Sequence, residues 1–412
     1  MTSTTLVLGG GIGGMVAANE IRRQLPSGHR VVLVEKNAQH AFAPSFLWLM
    51  TGEREPHQIR RPLAGLLRRG VELVQAEVLG IDPVQRKVRT SAAEIAYDHL
   101  IVALGADLAP GAIPGLAEAS QTFFTFDGAT QLRDTLKNFP GGRIAVVVSA
   151  MPYKCPGAPH EGAMLIADCF RRRGLSSKVK IDLYTPESQP MPVAGPQLGE
   201  AVRGMLHAKG IDFHPLHKLT SVDPSVRELS FDNGVRVGYD LLVAVPPHRA
   251  PRAVVEAGLT NQAGWVPVNP QTLQTSQDGV YAIGDVAAIP IPGRWKPDVP
   301  LMLPKAGVFA HAQAEVVAQR IAAEVTGRSC EAAFCGDGYC MLEAGEDLAG
   351  FAFGNFFAEA APNVELRQIG KAWHVGKVVF EKWWLAPVGV RRSAIGWAMK
   401  VGARLYGIPL DL

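Results

Sequence analysis

Five cysteines stand in the chain, at positions 155, 169, 330, 335 and 340, and Cys155 occupies the corner with the most chemical leverage. The stretch 144–161 reads IAVVVSAMPYKCPGAPHE. A run of buried-strand character (Ile144, Val146, Val147, Val148) leads into a loop that presents Cys155 alone. Pro152, Pro156, Gly157 and Pro159 fix that loop, and a helix follows with Glu161 near its start. In a dinucleotide-binding unit this strand–loop–helix corner carries glycines for a pyrophosphate. Here a thiol takes their place. Such a thiol points to nucleophilic or redox chemistry, for which thiolate is the active form. Lys154 and the N-terminus of the following helix would both lower its pKa. His160 and Glu161 read either as proton carriers or as a solvated helix start.

A second chemical signature opens the chain. A short apolar strand at 5–8 leads into GGGIGG, in which Gly9, Gly11 and Gly14 satisfy G-x-G-x-x-G, and then into a helical run at 15–25. The first glycine makes the turn, the second admits a pyrophosphate and the third packs helix on strand. A strand at 30–34 ends in Glu35, 21 residues past Gly14, where a carboxylate can take ribose hydroxyls. The strand at 279–285 ends in Gly284-Asp285, a carboxylate placed for sugar or ribityl hydroxyls. Lys305 begins a long helix at 305–325 whose first turns are small residues, so a cofactor can lie against its N-terminus. The segment 40–51 is charge-free and aromatic with Pro44 in its middle, which fits core packing or a flat wall beside a ring system.

The elements that must position these residues alternate strand and helix. Strands are predicted at 71–78, 87–89 and 97–103, and a helix at 59–69. Residues 107–115 read as a crossing between domains. A second unit has strands at 143–149, 178–184, 211–214 and 239–245 and helices at 161–173 and 198–209. The fold class is therefore α/β, with two Rossmann-like dinucleotide-binding domains, followed by a distinct C-terminal region. The expected boundaries are 1–110 with 265–325 for a cofactor domain split in sequence, 111–264 for the second Rossmann-like domain, and 326–412 for the C-terminal region.

With 412 residues and 47% apolar content, the chain can bury several cores. A net charge of +3 with no long basic run argues against nucleic acid. No apolar run long enough to span a bilayer exists, and the N-terminus lacks a secretory signal. The cysteine spacing contains no CxxC pair and no zinc-ligand pattern, so neither a disulfide scaffold nor a metal is expected. The last third carries FCGDGYCM, then GFAFGNFF, then Trp373, Trp383 and Trp384. After Glu381 no acid occurs until Asp411, while Lys382, Arg391, Arg392, Lys400 and Arg404 accompany Trp397 and Tyr406. That composition fits an interfacial membrane anchor, or a tail docked on its own domain or a twin subunit.

Taken together, LVLGGGIGG, VVLVE, HAFAPSF, DHLIVALG, MPYKCPGAPHE, VYAIGD, KAGVFAHAQAE and YCMLEAG…GNFF resemble the sulfide:quinone oxidoreductases among the two-dinucleotide-binding-domain flavoproteins. MPYKCPGAP is also similar to the flavoprotein subunit of flavocytochrome c sulfide dehydrogenase. The resemblance implies FAD, a redox-active cysteine pair on one side of the flavin and a quinone pocket on the other. Gly9, Gly11, Gly14 and Glu35 would hold the ADP half and Asp285 the ribityl chain. Lys36, Pro44, Gly105, Gly284 and Lys305 would complete the cofactor contacts, and Lys305 would polarise a quinone oxygen, steady the reduced ring or stand as a surface charge. The cysteine pair would be Cys155 and Cys340, with Cys335 a rival to the latter. The absence of any cysteine before Cys155 implies a two-cysteine subtype, and Cys169 and Cys330 read as structural. Phe353, Phe356 and Phe357 would form the quinone slot, with Pro44 and Phe46 on another wall. The implied reaction is sulfide oxidation to sulfane sulfur or polysulfide with two-electron reduction of a membrane quinone. The implied place is the surface of a prokaryotic plasma membrane, as a monotopic protein that can form homo-oligomers. Two alternatives share the scaffold: a sulfide dehydrogenase subunit passing electrons to a cytochrome, and a type II NADH:quinone dehydrogenase. The second needs a glycine fingerprint where this chain reads VSAMPYKCPG.

Overall fold

The computed structural model describes residues 3–408. Asp411, where the acid-free stretch closes, lies outside them. The first sheet is parallel and has five strands, in the spatial order Val280–Ala282, His99–Val102, Thr4–Leu8, Arg30–Glu35 and Val71–Gln75. Both faces are covered, which is why its central strands read as unbroken apolar runs: Val31 to Val34 and Leu6 to Leu8 are all at most 1% exposed. The strand at 280–282 comes from far along the chain, so this sheet is assembled from two separated segments.

A second parallel sheet orders Ile211–His214, Val179–Tyr184, Gly142–Val148 and Leu241–Val245. The helix Ala158–Arg172 packs over it, with twelve of its fifteen residues buried. Between the two sheets the chain crosses twice. The crossings lie side by side, with Asp107–Leu108 paired antiparallel to His248–Arg249.

The C-terminal part is a three-stranded antiparallel meander, Asp337–Gly345, Leu348–Asn355 and Asn363–Gly370, followed by the helices Lys371–Trp384 and Val390–Leu405. The first of these strands lies against the helix Ala158–Arg172, so residues about 180 positions apart in sequence meet. Among the described residues no helix is long and apolar enough to cross a membrane.

Two local expectations differ from the structure. Residues 59–69 are not a helix. Arg60–Pro62 pairs antiparallel with Gln39–Ala41, and a single 3-10 turn, Leu63–Leu66, follows. Pro62 lacks the N–H that a continuous helix needs. The predicted strand 71–78 is two strands, because the chain leaves the parallel sheet after Gln75 and enters an antiparallel hairpin at Val78–Asp82.

Candidate active site

The glycine turn shows a division of labour. Gly9 adopts φ +100°, and an added Cβ would lie 2.4 Å from the Ala103 carbonyl oxygen. A Cβ on Gly14 would lie 1.9 Å from the Gly9 oxygen. These two glycines make the backbone turn and the helix–strand approach. Gly11 has nothing within 4 Å of its Cβ position, and the helix Ile12–Gln24 behind it has no side-chain cap, so its first N–H groups face open space. Gly10 donates its N–H to Glu35 Oε2 at 2.7 Å, which ties the turn to the acid at the end of the second strand.

That space is a cavity of about 860 Å³. Gly10, Gly11, Gly13, Glu35, Lys36, Pro44, Gly105, Gly284, Asp285 and Lys305 line it. A second uncapped helix start, at Gly307–Thr326, meets it from the other side, where Gly307, Val308 and Ala310 form wall. No hydrogen bond within the described residues engages the Asp285 carboxylate, and burial raises its pKa while Lys154 and Lys305 oppose the rise. A cavity that meets two uncapped helix N-termini, with Glu35 and the unpaired Asp285 carboxylate in its wall, has the donor and acceptor set that FAD requires. Its cofactor-facing residues fit that group.

Cys155 and Cys340 both line this cavity, and both also line a second one of about 520 Å³. Cys155 sits in the left-handed region at φ +55°, an uncommon conformation for a side-chain-bearing residue, and its N–H donates to the Lys305 carbonyl at 2.6 Å. Cys340 arrives on the strand Asp337–Gly345; its Sγ lies 3.6 Å from where a Cβ on Gly157 would stand. Cys335, its rival, lines neither cavity, is exposed, and points its thiol at Asp337 Oδ2, 3.1 Å away. Cys169 is buried on its helix.

The expected activation of the thiol is reversed. Burial pushes Cys155 up to about 12, with Glu161 adding to the rise and Lys377 opposing it. Burial likewise raises Cys340 well above the ordinary thiol value. Desolvation outweighs the positive charge of Lys377 and the backbone hydrogen bond at Ala158. The proton-carrier residues separate too. His160 is fully buried on the sheet side of its helix with neither ring nitrogen partnered, and burial lowers it to about 3. Glu161 is 2% exposed, so the solvated-start reading does not hold for it. Its Oε2 accepts the Glu343 N–H at 2.9 Å and Lys377 Nζ at 2.5 Å. Lys377 also donates to the Met341 carbonyl at 3.0 Å; burial disfavours its charge, but Glu161 and Glu343 outweigh this and raise its pKa. Glu343 in turn meets His374 Nδ1 at 2.9 Å.

The Lys305 ammonium is committed elsewhere than to a quinone oxygen. It donates to the carbonyls of Asp285 (2.6 Å) and Ala287 (3.1 Å) and lies 3.6 Å from the Trp265 ring centroid. Burial lowers it to about 8. Phe353 and Phe356 line the smaller cavity together with both cysteines, whereas Phe357 lines neither cavity. Phe42, Phe46, Phe123, Phe124, Phe126, Phe380 and Trp384 line the larger cavity alone, and Tyr339 lines both. Phe42 stacks on Trp384 with centroids 6.1 Å apart, and Trp384 donates its indole N–H to His40 Nε2 at 2.8 Å. Sequence reading missed Phe380, Trp384, Lys377 and Tyr339 as site residues. The helical spacing of Lys377, Phe380, Glu381 and Trp384 on one face was the signal for the three on the helix; Tyr339, on the strand Asp337–Gly345, had none.

The fold and the site define a class: a flavoprotein oxidoreductase built on two dinucleotide-binding sheets, with FAD as cofactor. Residues 3–314 match the pyridine nucleotide-disulphide oxidoreductase family, and the chain belongs to that family. It is 28% identical over 396 residues to the sulfide-quinone reductase of Aquifex aeolicus, covering 93% of this chain and 91% of that protein. It is 28% identical over 298 residues to the mitochondrial sulfide:quinone oxidoreductase of Mus musculus, a match that spans 69% of this chain and 66% of that protein, just under two thirds of its length. The solved Aquifex aeolicus sulfide:quinone oxidoreductase superposes with a TM-score of 0.83 at 26% identity, covering 93% of this chain and 90% of that one.

Proposed function

We propose that this protein oxidises sulfide to sulfane sulfur or polysulfide through Cys155 and Cys340 and reduces a membrane quinone. The observation that carries the reading is that these two cysteines, 185 residues apart in sequence, both line the boundary between the cofactor cavity and a separate apolar one. FAD bound in the larger cavity supplies the two-electron relay between the two substrates. The chain's own residues perform the sulfur chemistry. Hydrosulfide attacks one sulfur of the oxidised pair, the S–S bond breaks, a persulfide remains on one cysteine and the other leaves as thiolate carrying sulfide's two electrons. A further hydrosulfide attacks the outer sulfur of that persulfide, the bond to the cysteine breaks and the two-sulfur chain leaves; the two thiolates re-form their S–S bond as their two electrons pass on, by way of FAD, to the quinone. The smaller cavity, with Met191, Leu198, Phe353 and Phe356 in its walls, suits an uncharged sulfur chain and not an anionic pyrophosphate, which favours this reading over an NADH dehydrogenase.

The quinone slot we assign to Phe46, Phe380 and Trp384, which line the larger cavity beside the C-terminal helices and not the smaller one that holds Phe353 and Phe356. Those helices support attachment at a membrane surface. Val390 (87% exposed), Trp397 (70%), Val401 (37%) and Leu405 (82%) recur along one face of the helix Val390–Leu405, flanked by Arg391 and Arg404. The test is anaerobic stopped-flow bleaching of the flavin absorbance in wild type, Cys155→Ser and Cys340→Ser. Sulfide is expected to bleach the wild type alone, and NADH none of them. Rapid bleaching of all three by NADH would overturn the reading.

A further inference from the structure

Of the residues lining the smaller cavity, two carry charge: Lys305, whose ammonium is held by two carbonyls and an indole, and Glu187. Glu187 is 6% exposed. Its Oε2 accepts the Tyr153 hydroxyl at 2.9 Å and the Thr185 hydroxyl at 3.0 Å. Among the described residues no hydrogen bond reaches its Oε1, and Glu187 lines the cavity. Tyr153 belongs to the loop that carries Cys155 and lies within electrostatic reach of that thiol. The cavity opens beside Met151 and Met302, which are 49% and 46% exposed. An anion moving into such an apolar space loses its hydration and meets a carboxylate of the same sign; neutral hydrogen sulfide meets neither obstacle.

We propose that Glu187 is the general base that takes a proton from neutral hydrogen sulfide inside this cavity, delivering hydrosulfide to the cysteine pair. The inference rests on the sulfide chemistry proposed above. The step balances as hydrogen sulfide plus carboxylate giving hydrosulfide plus carboxylic acid; the hydrosulfide then opens the disulfide. Burial raises Glu187 to about 7, against the two hydrogen bonds that hold it down, so it is poised to exchange a proton near neutral pH. Tyr153 from the cysteine loop and Thr185 from its own strand end donate to it, and Lys305 is the other charged residue on the cavity wall.

Glu187→Gln keeps an oxygen for both hydroxyl donors and removes the base. The test follows sulfide bleaching of the flavin against pH in wild type, Glu187→Gln and Tyr153→Phe, with rapid-quench mass spectrometry of the persulfide on the cysteine pair as a second readout. Wild type should show a bell, falling at alkaline pH as neutral hydrogen sulfide disappears. Glu187→Gln should be slower by roughly 10²-fold near neutrality, for bleaching and persulfide formation alike, and should rise toward alkaline pH with the hydrosulfide fraction. Tyr153→Phe should move the acidic limb to higher pH, because it loses a bond that favours the carboxylate. Wild-type and Glu187→Gln profiles that coincide would overturn the assignment to Glu187 alone. Failure of sulfide to bleach the wild type would overturn the proposed reaction and this step with it.

Discussion

Lys377 is the residue through which the buried polar network holds together. Its side chain is 8% exposed, and it bridges Glu161 on one element to the Met341 carbonyl on another. Removing one member of a buried ion pair strands the other, at a cost of about 3–5 kcal/mol. Lys377→Met should therefore lower the melting temperature sharply, and adding Glu161→Gln should recover much of the loss by calorimetry. His374 offers a pH test. The Glu343 hydrogen bond raises it above its ordinary 6.5, against a smaller opposing effect of burial. Folding thus favours its protonated form. The stabilisation is fully present below 6.5 and is lost as pH rises through the raised value. In His374→Gln, the urea midpoint should lose that decline between weakly acidic and neutral-to-alkaline pH.

At the scale of elements, the glycine turn separates folding from cofactor binding. Gly11→Ala adds a methyl where nothing stands within 4 Å, so the cofactor-free protein should keep its stability while FAD affinity falls, read by flavin fluorescence on titration. Gly14→Ala places that methyl 1.9 Å from a backbone oxygen, and should cost both stability and FAD. The turn's sequence declared this arrangement, since three glycines, a strand, a helix and a spaced acid act locally. The cysteine corner declared its position but not its electrostatics. Lys154 and the helix N-terminus are neighbours in sequence, whereas Cys155 is raised by burial, and the strand Asp337–Gly345 and the Lys305 segment that share its cavity walls come from far along the chain. The same contrast explains Ile59 to Arg69, where apolar spacing suggested a helix and Pro62, paired across to Gln39, decided otherwise.

At the scale of the molecule, the C-terminal helices are both a wall and a surface. Glu381 is tied to Arg54 at 3.0 Å and to Ser45 at 2.6 Å, and Trp383 and Trp384 are buried, so the first helix closes the cofactor cavity. The second leaves its apolar stripe exposed. Trp397→Glu with Leu405→Glu should abolish co-sedimentation with anionic liposomes while leaving turnover with a water-soluble quinone within about twofold of wild type. Loss of soluble-quinone turnover would show instead that the stripe packs against protein.

The sequence by itself determined the two parallel sheets, the glycine turn with Glu35, the terminal Asp285 and the singular placement of Cys155. Each depends on residues close in the chain, where hydrophobic period, turn chemistry and fixed spacing act directly. Only the tertiary structure decided which distant residues share a wall. It drew Cys340 to Cys155, turned the Lys305 ammonium to backbone carbonyls, and gave Phe353 and Phe356 to the smaller cavity and Phe380 and Trp384 to the larger. It also set the thiols' and Glu187's proton affinities, because desolvation depends on everything packed around a group and leaves no mark on its neighbours in sequence.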